Sequence, residues 1–152
     1  DGTSLKKQWG IVGDTFILGC AIPNSIIYPE FNTLSVYNCF TKLGNYSKYC
    51  GFDNLKCSFG HDEYLYRLLK INNISLPEEA YYIIRYHSLY LWHQNNEYSY
   101  FENIKDSKMK WWVNLFQKYD LYSKTNTEID ENKAKEYYEP LINKYFPPEI
   151  RW

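Results

Sequence analysis

Methionine is almost missing from this chain of 152 residues: the only one is Met109, and the first residue is Asp. A chain that opens on Asp1 is expected to be processed or to be a segment of a longer polypeptide. Cysteine is sparse, and Cys20, Cys39, Cys50 and Cys57 form no C-x-x-C pair and no repeated spacing. That argues against a zinc knuckle or a redox dithiol and suggests reduced thiols in a cytoplasmic protein. Neither charge is in excess, with 17 basic and 18 acidic residues and a net charge of -1. No basic stretch offers itself to phosphates or anionic lipid, so nucleic acid is not an expected partner. No apolar run approaches the roughly 18–20 residues that a bilayer span requires, and no secretory signal series is present. Membrane association is not expected either.

Aromatic residues, by contrast, are abundant: 20% of the chain, with five Trp and seventeen Tyr. The length suits one domain whose core is largely ring. The first sixty residues lack helical periodicity. "WGIVGDTFILGC" alternates glycine with short apolar pieces, and "AIPNSIIYPEFNTL" adds two prolines, which predicts extended segments and turns.

From Gly60 onward the pattern predicts four helices. The first, "HDEYLYRLLKIN", carries Asp62 and Glu63 in its opening turn, where carboxylates favour the free amides, and ends near Asn72. The second, "SLPEEAYYIIRYHSLYLW", is expected to start at an N-cap Ser75, with Pro77 in the first turn and Glu78 completing a capping box. The third, "DSKMKWWVNLFQKYDLYSK", is capped by Asp106 or Ser107. The fourth, "DENKAKEYYEPLINKYF", should be kinked or split at Pro140 and stopped by Pro147 and Pro148.

Three of these helices carry one ligand-type residue each on their apolar stripe. By helical spacing His61 shares a face with Leu65, Leu68 and Leu69. The stripe Ala80, Ile83, Ile84 runs on through His87 to Leu91, and Met109, Trp112, Val113 and Phe116 run on to Asp120. A histidine on such a face is more often a core residue bonded to a carbonyl than a ligand, and a buried aspartate needs a counter-charge of some kind. Three successive helices each aiming such a group inward make a shared metal site a comparable explanation. Two imidazoles and a carboxylate suit non-haem iron, with zinc as an alternative. His93, after Trp92, is expected to face solvent or to support the ligands from behind, and is not taken as a ligand. Asp62 lies about 100° round the helix from His61 and reads as a first-turn acid rather than a co-ligand.

The words "WGIVGDTFILGC", "YCGFDNLKCSFGHDEYLYRLLK", "SLPEEAYYIIRYHSLYLWH", "QKYDLYSK" and "YYEPLINKYFPPEI" stand in an order and spacing that resembles the myo-inositol oxygenase family from about Gln8 to Trp152. The resemblance implies an all-α, HD-domain-like helical bundle, here partial, with an irregular N-terminal segment. It implies two irons on which O2 and myo-inositol react to give D-glucuronate. His61 and His87 match the histidines of one iron, and Asp120 matches the aspartate on the other, so the facial triad drawn from the helix faces is divided between two metals. Gly13, Asp14 and Ser88 match residues that hold inositol hydroxyls, beside His87. Asp14 on its glycine-primed turn is suited to accept hydrogen bonds, the alternative being a local turn contact.

The resemblance also implies an upstream half, about as long again, with a further histidine, a His-Asp doublet, a substrate lysine and the bridging carboxylate. None of these is in the 152 residues. Residues 1–152 are therefore expected to be the C-terminal part of a single oxygenase domain, silent without its partner half. Two rivals stand beside this reading. An HD-type metal-dependent phosphohydrolase would need basic residues by the metal, where only Arg67 and Arg85 are near. A non-catalytic helical fragment would keep the fold and lose the metal.

Overall fold

A computed structural model describes residues 15–34, 41–120 and 128–152, and shows an all-α protein: among the described residues there are five α-helices and no strand. They are α1 (His61–Ile71), α2 (Glu78–Tyr86), α3 (Tyr90–His93), α4 (Ile104–Asp120) and α5 (Glu131–Tyr145). The segments before α1 are irregular, as their composition predicts, with short 3-10 turns at Pro29–Leu34 and Phe52–Asn54. One isolated antiparallel bridge joins Ile17 to Cys57. No described helix is long and apolar enough to cross a membrane, and Cys20, Cys50 and Cys57 are free thiols.

The main core is aromatic. Phe52, Tyr86 and Trp92 meet ring to ring, Phe52 lying 4.3 Å from Trp92 and 5.4 Å from Tyr86 between centroids, and Ile17, Leu55, Leu89, Phe101 and Val113 close round them. A smaller cluster, Leu68, Leu69, Ile74 and Tyr81, receives Phe146 and Ile150 from the C-terminal tail. Asn72 fastens that tail by a two-way clasp: its amide donates to the Arg151 carbonyl at 2.8 Å and its side-chain oxygen accepts the Arg151 amide at 2.7 Å.

Helix α1 keeps the expected boundaries, but its buried side is not the expected one. Leu68 and Leu69 are inside, while His61 and Leu65 are exposed. The positions turned fully inward are Asp62 and Glu63, 1% and 2% exposed. Glu63 is paired with Arg85 at 2.7 Å and Arg67 at 2.8 Å, and Arg85 is buried with it. Buried ions survive only when paired and hydrogen-bonded, and Arg85 is further boxed by the Tyr66 ring, 4.4 Å away, and the Tyr86 hydroxyl at 3.1 Å.

Helix α2 corrects two expectations. It begins at Glu78 after Pro77, with no side-chain cap, so Ser75 does not form the capping box. It also stops at Tyr86 instead of running to Trp92, and α3 resumes only at Tyr90. The capping box is found instead at α4. Asn103 Oδ1 accepts the amides of Lys105 and Asp106 at 2.8 and 3.0 Å, and Asp106 Oδ2 reaches back to the Asn103 amide at 2.8 Å. Asp106 is the third residue of the box, not the cap. Fully buried, it also accepts the Phe52 amide at 3.0 Å and the Tyr82 hydroxyl at 2.6 Å, joining three segments. Gly51 is required beside it: at φ +85, where L side chains are strained, a Cβ would also fall 2.3 Å from the side-chain nitrogen Nδ2 of Asn103.

Helix α5 is capped by Asp130 through the amides of Asn132 and Lys133, and ends at an extended Phe146 before the two prolines. It runs continuously through Pro140 rather than splitting there, and buries no side chain.

Candidate metal and substrate centre

The break between α2 and α3 builds the site. His87 closes the last α-helical turn by donating its amide to Ile83 at 3.0 Å; Leu89 then bonds back to Tyr86 at 3.0 Å and takes φ -84, ψ 61, close to an inverse γ-turn. This turn swings Ser88 and the His87 ring toward the exposed start of α1. His61 Nε2 and His87 Nε2 stand 3.0 Å apart, with ring centroids 5.0 Å apart and nearly perpendicular planes. Ser88 Oγ lies 3.3 Å from the same His61 nitrogen. Phe116 of α4 meets the His87 ring edge to face at 5.9 Å.

The tautomer of His87 is dictated by its neighbours. Its Nδ1 is 3.2 Å from the Ile83 carbonyl and 3.1 Å from the Ile84 carbonyl, and carbonyls only accept, so Nδ1 carries the hydrogen. Nε2 of His87 is thereby left with a bare lone pair facing His61. With both imidazoles neutral, the 3.0 Å contact puts a proton on His61 Nε2; a cation between the rings would take its place.

A first-row metal fits this pair. Two nitrogens bound at about 2.1 Å and meeting at a right angle lie about 3.0 Å apart, and a ligating imidazole ordinarily donates its other N–H to an acceptor such as a carbonyl. Neutral imidazoles suit iron, zinc, copper or nickel rather than magnesium or calcium. Among the described residues, no third His, Cys, Asp or Glu joins the two histidines in a cluster able to hold a metal.

The other residues proposed from sequence are placed less centrally. Asp120 is the last residue of α4, half-buried and one turn beyond Phe116, outside any three-residue cluster with the histidines. Gly13 and Asp14 lie outside the described residues. Asp62, beside His61, has both oxygens engaged, Oδ2 accepting the Thr15 hydroxyl and Oδ1 the Glu63 amide at 2.8 Å, so neither is turned to the histidine pair. The chain entering Thr15 is held there by a second set of bonds: Leu18 donates to Lys56 at 2.8 Å and Ser58 to Phe16 at 2.8 Å.

His93 is not at the surface. It is 6% exposed, and its Nε2–H donates to the His87 carbonyl at 2.9 Å. Burial, with the nearby His87 and Lys110, outweighs that bond and lowers its pKa to about 4. Gln117, a residue that sequence reasoning passed over, donates to the same carbonyl at 2.7 Å. Its signal in the sequence is weak: it is one step from Phe116 on the same helix and has no motif of its own.

Comparison with known proteins identifies the family of the chain. The family described as Myo-inositol oxygenase matches residues 3–152. The chain is 45% identical to an inositol oxygenase of Dictyostelium discoideum over 97% of its own length and 52% of that protein. Inositol oxygenase 4 of Arabidopsis thaliana is 44% identical over 95% of this chain and 47% of its own, and the Danio rerio inositol oxygenase is 42% identical over 97% and 55%. The chain thus spans about half the length of the curated relatives it matches. With the match running through nearly every described element, the chain belongs to the myo-inositol oxygenase family.

Proposed function

We propose that these residues are the C-terminal portion of an inositol oxygenase, which opens the myo-inositol ring with O2 to give D-glucuronate at a pair of irons. In that reaction one ring carbon–carbon bond breaks, one carbon becomes a carboxylate and its neighbour an aldehyde. Dioxygen takes up the four electrons, and one oxygen leaves as water. The observation that carries the reading is the pair His61 Nε2 and His87 Nε2, 3.0 Å apart, in a chain of this family.

In this reading His61 and His87 hold one iron and Asp120 the other, and the remaining ligands come from outside the 152 residues. Iron, when bound, would pass electrons from inositol to dioxygen and offer a Lewis-acid seat for the substrate hydroxyls. The chain supplies orientation. The Ile83 and Ile84 carbonyls keep His87 in the tautomer that presents Nε2. Ser88, 4% exposed, sits with its hydroxyl next to His61 Nε2, and once that nitrogen is committed to iron the hydroxyl is free to turn to an inositol oxygen. Gly13 and Asp14 accept and position further hydroxyls. Arg67 and Arg85 both pair with Glu63, so neither is offered to a phosphate, which disfavours the phosphohydrolase reading.

The test is to express the chain with the coding sequence that precedes Asp1 in its transcript, load the protein anaerobically with Fe(II), and follow O2 uptake and glucuronate formation from myo-inositol. Iron-dependent glucuronate from the longer protein, and none from residues 1–152 alone, is the expected result. An upstream frame lacking a histidine and a His-Asp doublet, or a longer protein that binds iron but leaves inositol intact, would sink the proposal.

A further inference from the structure

The break at His87 is not written into its own neighbourhood: residues 86–90 contain neither proline nor glycine. In an unbroken helix the His87 carbonyl would accept the amide four residues on. Here it accepts two side-chain donors instead, the His93 imidazole at 2.9 Å and the Gln117 carboxamide at 2.7 Å. One comes from α3 and the other from α4, so the carbonyl is held from two helices at once. The donors are buried or half-buried, and each bond is within the strong range for its type. A carbonyl has two lone pairs, and both are used.

We propose that His93 and Gln117 are positioning residues for the histidine pair, gripping the His87 carbonyl so that helix α2 ends there and Nε2 of His87 faces Nε2 of His61. The carbonyl and the Cα–Cβ bond belong to the same residue, so fixing the carbonyl fixes the direction in which the ring leaves the backbone. The Ile83 and Ile84 carbonyls set only the rotation of the ring about that bond. The same turn carries Ser88 to within 3.3 Å of His61 Nε2, so both sides of the pair depend on it. His93 Nδ1 is buried with no hydrogen-bond partner, a cost the fold accepts while Nε2–H serves the carbonyl. For metal binding the inference rests on the proposed function; for the arrangement of the two rings it does not.

The experiment uses the full-length protein, with Gln117→Leu to remove one donor at similar volume, His93→Phe to remove the other, and His93→Gln to retain an N–H. Two readouts are taken: the tautomer of His87 in metal-free, ¹⁵N-labelled protein, and Co(II) titration followed by visible absorption. Wild type should show a single Nδ1–H tautomer. Gln117→Leu should keep the helical circular dichroism, mix the His87 tautomers, weaken Co(II) binding by about 10-fold or more, and change the ligand-field bands. His93→Gln should stay close to wild type, and His93→Phe should resemble Gln117→Leu. If Gln117→Leu and His93→Phe both kept the wild-type tautomer and Co(II) spectrum, the positioning role would be overturned. If wild type showed the fixed tautomer but took up no Co(II), the metal reading would fail while the positioning role stood. Should His93→Phe not fold, Gln117→Leu alone decides.

Discussion

Two polar regions of this molecule are handled in opposite ways. Inside, Asp62, Glu63, Arg85 and Asp106 are almost wholly removed from water, and every one is answered by the protein itself. Where the exposed start of α1 meets the end of α2, the histidines His61 and His87 instead set their Nε2 atoms 3.0 Å apart, and among the described residues no carboxylate joins them in a cluster. The interior charges face opposite charges and hydrogen-bond donors and hold the fold; the histidine pair sets two imidazole nitrogens against each other in a geometry that a first-row cation fits. The difference teaches that a polar group's role is read from the kind of partner it faces, not from how deeply it is buried.

Breaking the interior side of this contrast should cost the most. Arg85→Met leaves Glu63 with only the half-exposed Arg67, and unfolding in urea should show a loss of about 3–5 kcal/mol. Asp106→Leu removes acceptors from Tyr82, Phe52 and the Asn103 box together, and should cost on the order of 3 kcal/mol by the same measurement. His61→Ala sharpens the other side: in the metal-free full-length protein the unfolding free energy from urea should change by no more than about 0.5 kcal/mol, as at an exposed position, while iron content and glucuronate formation of the iron-loaded protein fall together. Retention of full iron by His61→Ala would remove that residue from the ligand set. The smallest effect concerns the thiols. Burial pushes Cys20 up to about 11 and Cys57 up to about 12, so both should resist iodoacetamide at pH 8 in the native protein and react once urea unfolds it, as read by mass spectrometry.

Much of the fold is legible in the sequence where local chemistry decides it. The start and end of α1, the Asp130 cap and the stop at Pro147 follow from residues adjacent in the chain. What escapes is decided at a distance. Ser75 and Glu78 have the letters of a capping box, yet Asn103 and Asp106 make one, because Asp106 is also wanted by Phe52 and Tyr82. The helix over residues 78–92 looks unbroken because the donors that take its His87 carbonyl are side chains, and one of them, Gln117, stands 30 residues further on. Periodicity turns both His61 and His87 to the oily side, whereas His61 lies exposed and only His87 is half-buried, against Phe116. In a core built of tyrosine, with its polar tip, and of paired charges, the leucine stripe is a poor guide to the interior.

The absence of any buried side chain in α5 has a kinetic corollary. A helix with an internal proline and no core contact of its own lacks the tertiary support that usually keeps helices formed in water. Its amides should exchange with deuterium through local fraying, on a schedule independent of global unfolding. Weakening the aromatic centre, as by Phe52→Ala, would then hasten exchange in α2 and leave the rates in residues 131–145 unmoved.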